Sequence, residues 1–139
     1  MRRWVTLVVV LALLVALGAA PVTAGKRKKG SFSAESPVPG IDGCPRDAQE
    51  GLSKTSQELK VPFSGTLTVT MTDFLGDWDL HIIDADGQEI AYSNGSQLTG
   101  TAPVEEVSLG LVRGTSVKMV ACNWVGGPWA EVAWTLVGK

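Results

Sequence analysis

From Leu59 onward, apolar side chains recur at every second position, and this period of two constrains the fold more than any other feature of the chain. Its clearest instance is the stretch GDWDLHIIDADG, Gly76 to Gly87. Trp78, Leu80 and Ile82 fall on one face of a strand, and Asp77, Asp79 and His81 fall on the other. Asp86-Gly87 supplies the residues of a tight hairpin turn. A strand with one apolar and one polar face needs a second layer to cover the apolar side.

The same period marks the rest of the domain. Leu59, Val61 and Phe63 alternate before Ser64-Gly65 turns the chain. Leu67, Val69 and Met71 alternate with threonines, a β-branched polar face suited to water. Glu89 to Ser93 reads as a short strand, and Asn94 to Pro103 as a loop. Val107, Leu109 and Leu111 follow, then an Arg113-Gly114 turn. Val117 to Trp124 is apolar on both faces, which predicts a central strand. Gly126-Gly127-Pro128 turns again, and Val132, Trp134 and Leu136 close the series. About seven short strands separated by turn residues predict an all-β fold, an antiparallel β-sandwich of jelly-roll-like form.

The N-terminal part has a different grammar. Arg2 and Arg3 precede an apolar run from Trp4 to Ala20, and Val22-Thr23-Ala24 places small residues where a signal peptidase reads. Residues 1–24 therefore read as a signal peptide, with an uncleaved anchor as the other reading of the same run. Residues 25–43 are rich in Gly, Ser, Pro and Lys without apolar period, which predicts a disordered linker carrying the basic cluster Lys26 to Lys29. The domain is expected over 44–139, with a short helical turn around Asp47 to Lys54. Cys44 and Cys122 are the only cysteines. In an exported chain an even pair reads as one disulfide. Closing so long a loop is worth at most roughly 4–5 kcal/mol in the chain-entropy account. The expected location is secreted or associated with the cell envelope.

Charge narrows the partners. From Gly30 onward the basic residues are Arg46, Lys54, Lys60, Arg113, Lys118 and Lys139, against all fourteen acids of the chain. A domain this acidic repels phosphate backbones, so nucleic acid is not an expected partner. An extracellular protein or a polysaccharide is.

The segments GTLTVTM, DWDLHIIDADGQEIAYS, EEVSLGLVRGTSVKMV and EVAWTLVG together resemble the bacterial pre-peptidase C-terminal domain family, over about Leu59 to Gly138. The shared shape is an Asp-x-Asp-Leu strand, an Asp-x-Asp-Gly turn and a short strand leading to a loop. The chain departs from that pattern at Cys122-Asn123-Trp124-Val125-Gly126-Gly127, where the family tends to carry a Tyr-rich strand. The resemblance implies a jelly-roll-like, non-catalytic accessory module of secreted proteins, some of whose relatives bind calcium or extracellular polymers.

Two groups of residues are candidates for chemistry. Asp77 and Asp79 share a strand face about 7 Å apart, with Asp73 just upstream. With Asp84 and Asp86 in the next turn, they can supply oxygen ligands to calcium. The competing reading is that the strand acids face solvent and the turn acids bond local backbone N–H groups. A glycosidase dyad is not supported, because both strand acids come from one strand with no opposing wall. His81 is the only histidine, and no nucleophile elbow, catalytic triad or phosphate loop can be argued from spacing, so no catalytic residue is assigned. Trp78 and Trp134 keep step with core positions. Trp124 and Trp129 flank the Val125 to Pro128 turn and form either an aromatic platform for a ligand or a cover over the sandwich end. Asn94-Gly95-Ser96 fits a glycosylation pattern and reads as a turn. The functional classes left are a binding or accessory module, a structural or interaction domain without small ligand, and a calcium-stabilised domain.

Overall fold

A computed structural model describes residues 25–40, 43–93 and 104–139. The expected signal peptide at 1–24 and the Asn94–Pro103 loop, with its glycosylation pattern, lie outside the described residues. Among the described residues there are eight strands: β1 (Arg27–Glu35), β2 (Lys54–Lys60), β3 (Gly65–Thr72), β4 (Gly76–Asp84), β5 (Glu89–Ser93), β6 (Glu105–Leu111), β7 (Ser116–Gly126) and β8 (Trp129–Gly138). They form two four-stranded antiparallel sheets, of order β1-β8-β3-β6 and β2-β7-β4-β5. This is the antiparallel β-sandwich that the period of two predicts.

The core lies between the sheets and is built from the alternating residues. Trp78, Leu80 and Ile82 of β4 and Val117, Met119 and Ala121 of β7 are buried from one side. Leu67, Val69 and Met71 of β3 and Val132, Trp134 and Leu136 of β8 are buried from the other. Each large apolar side chain so removed from water contributes roughly 1.5–3 kcal/mol. The indole N–H groups do not go unpaired: Trp78 Nε1 donates to the Gly127 carbonyl at 3.2 Å and Trp134 Nε1 to Gln57 Oε1 at 3.0 Å. The strand apolar on both faces, β7, is central in its sheet, between β2 and β4.

The ends of the sandwich close tightly near Gly76 and Gly126, which face each other across β4 and β7. A Cβ on Gly76 would lie 2.1 Å from the Val125 carbonyl oxygen, and one on Gly126 would lie 1.8 Å from that of Leu75. Only glycine permits this approach. Asn123 braces the same corner, its Nδ2 donating to the carbonyls of Ser36 at 2.7 Å and Gly127 at 3.0 Å.

Two expectations need correction. The stretch expected as a linker contains a strand: Arg27–Glu35 pairs along its whole length with β8 as the edge of the first sheet. Its core contribution is small, Ala34 fully buried and Phe32 partly, so its sequence shows little apolar period. Lysines and serines on such a strand suit an edge, where they discourage pairing with other chains. The segment expected as a helical turn, Asp47 to Lys54, forms turns instead and leads into β2 at Lys54. Gly51, at φ 74°, takes the chain out of the helical region.

Gly30 gives a direct test of β1. It lies opposite Trp134, and a Cβ there would sit 2.6 Å from the indole ring, whereas Ser31 is exposed. Gly30→Val is expected to lower stability to chemical denaturation by about 1–3 kcal/mol. Ser31→Val is expected to change it by no more than about 0.5 kcal/mol. Equal, negligible effects would return this stretch to a linker.

Candidate functional site

The outer face of the second sheet carries Asp77, Asp79, His81 and Ile83, the β4 residues that alternate with the core set. In register beside them, Cys122 of β7 lies opposite Asp79, and Val120 of β7 and Tyr92 of β5 lie opposite His81. A polar row on an outer face ordinarily meets water. Here Asp79 is only 7% exposed and His81 only 5%.

The cause is the segment 43–49. The expected disulfide is present, joining Cys44 to Cys122. Because Cys122 is the register partner of Asp79, the bond brings this segment over the acidic face. Lys54 Nζ donates to the Pro45 carbonyl at 2.7 Å, and Gly40 N–H donates to the Asn123 carbonyl at 2.7 Å, fixing the segment on both flanks. A groove of about 410 Å³ remains open beside it. Cys44, Arg46 and Asp47 form one wall, Asp79, His81 and Glu89 lie along the sheet side, and Tyr92 and Trp124 complete the lining. On the far side of the segment lies a wider hollow of about 1080 Å³, lined among others by Lys54, Ser56, Glu58 and Lys118. It has no aromatic side chain in its lining and is crossed by the Lys118–Glu58 ion pair at 3.9 Å.

Two β-bulges shape the groove. Between Ile82 and Ile83 the β4–β5 register slips, leaving Ile90 unmatched. Glu89 and Tyr92, three residues apart, would point to opposite faces of a regular strand. The bulge brings both to His81: Glu89 Oε2 lies 2.6 Å from Nδ1, and the Tyr92 ring stacks at 6.4 Å between centroids and 22° between planes. A second bulge, between Asp77 and Trp78, leaves Trp124 as the unmatched residue of β7 at the edge of the groove. Bulges commonly re-aim side chains in this way.

The hydrogen bond to Glu89 engages Nδ1 of His81. A carboxylate is an acceptor only, so Nδ1 carries the proton and donates it. Nε2 is buried with no hydrogen-bond partner and lies 3.8 Å from Asp79 Oδ2.

The residues singled out from sequence divide. Asp77 and Asp79 share a face, and the Asp77 carboxyl is raised from its ordinary value of 3.8, first by burial and then by the charge of Asp79. Asp73 stands apart in the β3–β4 turn at φ 58°, exposed, its Oδ2 accepting from Thr72 Oγ1 at 3.2 Å. Calcium takes six to eight oxygens. Two neighbouring carboxylates and one in a separate turn do not make such a cage, and among the described residues no group of three His, Cys, Asp or Glu is placed to hold an ion. In the β4–β5 turn, Asp84 Oδ1 accepts from the N–H groups of Asp86 at 3.0 Å and Gln88 at 2.8 Å, as expected of a turn former. Trp124 and Trp129 do not form one platform. Trp124 is half-buried in the groove, whereas Trp129, 63% exposed, keeps step with Glu131 and Ala133 on the outer face of the other sheet. Sequence reasoning missed Glu89, Tyr92, Arg46 and Asp47 and assigned His81 no role. The Asp-Gly turn predicts that β5 lies beside β4, but no residue marks the bulge that aims Glu89 and Tyr92.

The raised carboxyl of Asp77 makes its ionisation costlier in the folded chain than in the unfolded one. Its contribution to stability is therefore lost as pH rises from about 3.8 through the higher folded value, and stays lost above it. In chelator-containing buffer, Asp77→Asn is expected to melt above the parent at pH 7 and level with it near pH 3. A variant that melts lower at pH 7 would show that the charge at Asp77 is compensated.

No family model matches the chain, and no curated protein matches it. Among solved structures it is similar to a cycloisomaltooligosaccharide glucanotransferase of Paenibacillus sp., complexed with cycloisomaltoheptaose. The TM-score is 0.40 and the identity 13%, over 82% of this chain and 18% of that one, so this chain spans less than a fifth of the length of that protein.

Proposed function

We propose that the protein is a non-catalytic binding module acting outside the cytoplasm, and that the groove between segment 43–49 and the outer face of the second sheet is its binding face. The observation that carries this reading is the lining of the groove: aromatic Trp124 and Tyr92 beside the carboxylates of Asp79 and Glu89. Sugar rings present C–H faces that pack on aromatic rings and hydroxyls that donate to carboxylates, so a polysaccharide of the cell envelope is the ligand this lining suits. The disulfide supports an oxidising compartment. The resemblance to pre-peptidase C-terminal domains leads to the same class of function.

The absence of a catalytic assignment rests on the partners of His81. A histidine held by a carboxylate is half of a nucleophile-activating unit. Its free nitrogen, however, meets Asp79 rather than a hydroxyl or thiol, and both cysteines are joined to each other.

A second reading, an interaction domain for another extracellular protein, is favoured by one observation. Leu75, 71% exposed, and Val125 and Trp129, also exposed, lie at one end of the sandwich, where Gly127 N–H bonds the Leu75 carbonyl at 2.8 Å. Clustered exposed apolar residues of this kind serve protein contacts.

Retention on insoluble cell-envelope material and on a panel of neutral and acidic polysaccharides separates the two readings. The parent is expected to be retained, with Trp124→Ala and Tyr92→Ala each weakening retention tenfold or more and Trp129→Ala leaving it unchanged. Loss of retention in Trp129→Ala alone would favour the sandwich end, and no retention on any polymer would overturn the polysaccharide reading.

A further inference from the structure

The basic residues of the domain gather at one end of the sandwich. Arg27 of β1 lies opposite Val137 of β8, so Lys26 to Lys29 stand where β8 ends and Lys139 follows. Gly65 lies opposite both Gly138 and Leu111, so the connections 61–64 and 112–115 close the same end. Backbone bonds knit these pieces together. Gly138 N–H donates to the Lys26 carbonyl at 2.7 Å, Lys139 N–H to that of Ser64 at 3.4 Å, and Gly114 N–H to that of Val61 at 2.8 Å. Arg113 N–H donates to Ser64 Oγ at 2.9 Å. Lys26 to Lys29 are thus joined by Lys60, Arg113 and Lys139, all exposed and none in an ion pair among the described residues. Beyond Ala24 only Arg46, Lys54 and Lys118 stand outside this group. The far end is acidic, with Glu35 closing β1, Glu106 near the start of β6, and Asp73 and Asp77 about the β3–β4 turn. Asp84 and Asp86 do reach the basic end, but from the side where β5 meets β6, away from β1 and β2.

We propose that this basic end is a docking face for the anionic phospholipid headgroups of the membrane across which the chain is exported. The net negative charge of the domain does not oppose it. At about 0.1 M salt each charge acts over only ~10 Å, and most of the acids lie away from this end. Each lysine or arginine held close to an anionic bilayer adds to binding. Val112, 66% exposed beside Arg113, and the half-buried Phe63, whose ring lies against Gly138, place apolar tips among the charges. Basic residues around apolar ones are the composition of an interfacial anchor. The chain itself selects a membrane over other polyanions. Gly25 sits at this end, beside the Gly138 carbonyl, and Pro21 to Ala24, even fully extended, reach no more than about 14 Å. The apolar run Trp4 to Ala20 therefore keeps this end, and not the acidic one, near the bilayer while the run is inserted. Docking is peripheral: among the described residues no helix is long and apolar enough to cross a membrane. It leaves the groove on the second sheet free and does not rest on the polysaccharide reading.

The test is sedimentation with vesicles of phosphatidylcholine, alone or mixed with phosphatidylglycerol. It uses the protein as left by cleavage after Ala24, which holds both sheets entire. Binding to the mixed vesicles only is expected, falling tenfold or more from about 0.1 M to about 0.5 M salt. Lys60→Gln, Arg113→Gln and Lys139→Gln combined are expected to weaken it tenfold or more, although all three are remote in sequence from Lys26 to Lys29. Glu35→Gln, at the acidic end, is expected to leave it unchanged. Every substituted side chain is exposed, and circular dichroism confirms that the sheets persist in each variant. No binding, equal binding to both kinds of vesicle, or binding indifferent to the triple variant would overturn the docking face, the last leaving a basic tail in its place. Binding to soluble polyphosphate without binding to vesicles would overturn the lipid assignment.

Discussion

The bond between Cys44 and Cys122 is the constraint on which the site depends. The sandwich core lies apart from it: β3, β4, β7 and β8 bury their apolar faces against one another. What the bond adds is a second cover, on the side of the second sheet that faces away from the core. Segment 43–49 contains no large apolar residue with which to hold itself there. Anchored at Cys122, it lies where Asp79 is the neighbour across the strand pair, and an acid and a histidine that would otherwise be solvated become buried. Burying such groups is costly without compensation. The Glu89–His81 hydrogen bond meets part of that need. Nε2 keeps no hydrogen-bond partner, and burial together with the charge of Asp79 raises the Asp77 carboxyl. Buried and perturbed polar groups of this kind are where ligands are expected.

Geometry above the level of single strands decides which side chains share the groove. Regular alternation would divide Glu89 and Tyr92 between two faces. One extra residue in β5 puts both beside His81, and one extra residue in β7 leaves Trp124 at the edge of the groove. The scaffold is thus uniform antiparallel sheet, and the site is made where its register breaks.

This explains what could be read from the chain and what could not. Trp78, Leu80 and Ile82, Leu67, Val69 and Met71, and Val132, Trp134 and Leu136 all announce their burial through a period of two, because the sheet itself has that period. The two cysteines announce their pairing because there are only two. Strand β1 is silent. It occupies an edge, contributes Ala34 and part of Phe32 to the core, and uses Gly30 to admit the Trp134 ring, so its composition matches that of a linker. The acidic row on β4 was legible, but its meaning was not. Sequence neighbours suggested Asp73 as the third member of an oxygen cage. The groups that in fact surround Asp79 are His81 on its own strand and, across the groove, the segment held by Cys44. No local pattern encodes that juxtaposition.

The central claim is that the disulfide-held segment buries His81 and so creates the site. Acylation of the sole histidine by diethylpyrocarbonate tests it most directly, read by mass spectrometry in chelator-containing buffer before and after reduction of the Cys44–Cys122 bond, with circular dichroism confirming that the sheets persist. The account predicts slow acylation in the oxidised protein and at least tenfold faster acylation once the segment is released. Equal rates in the two states, with the fold intact, would contradict it.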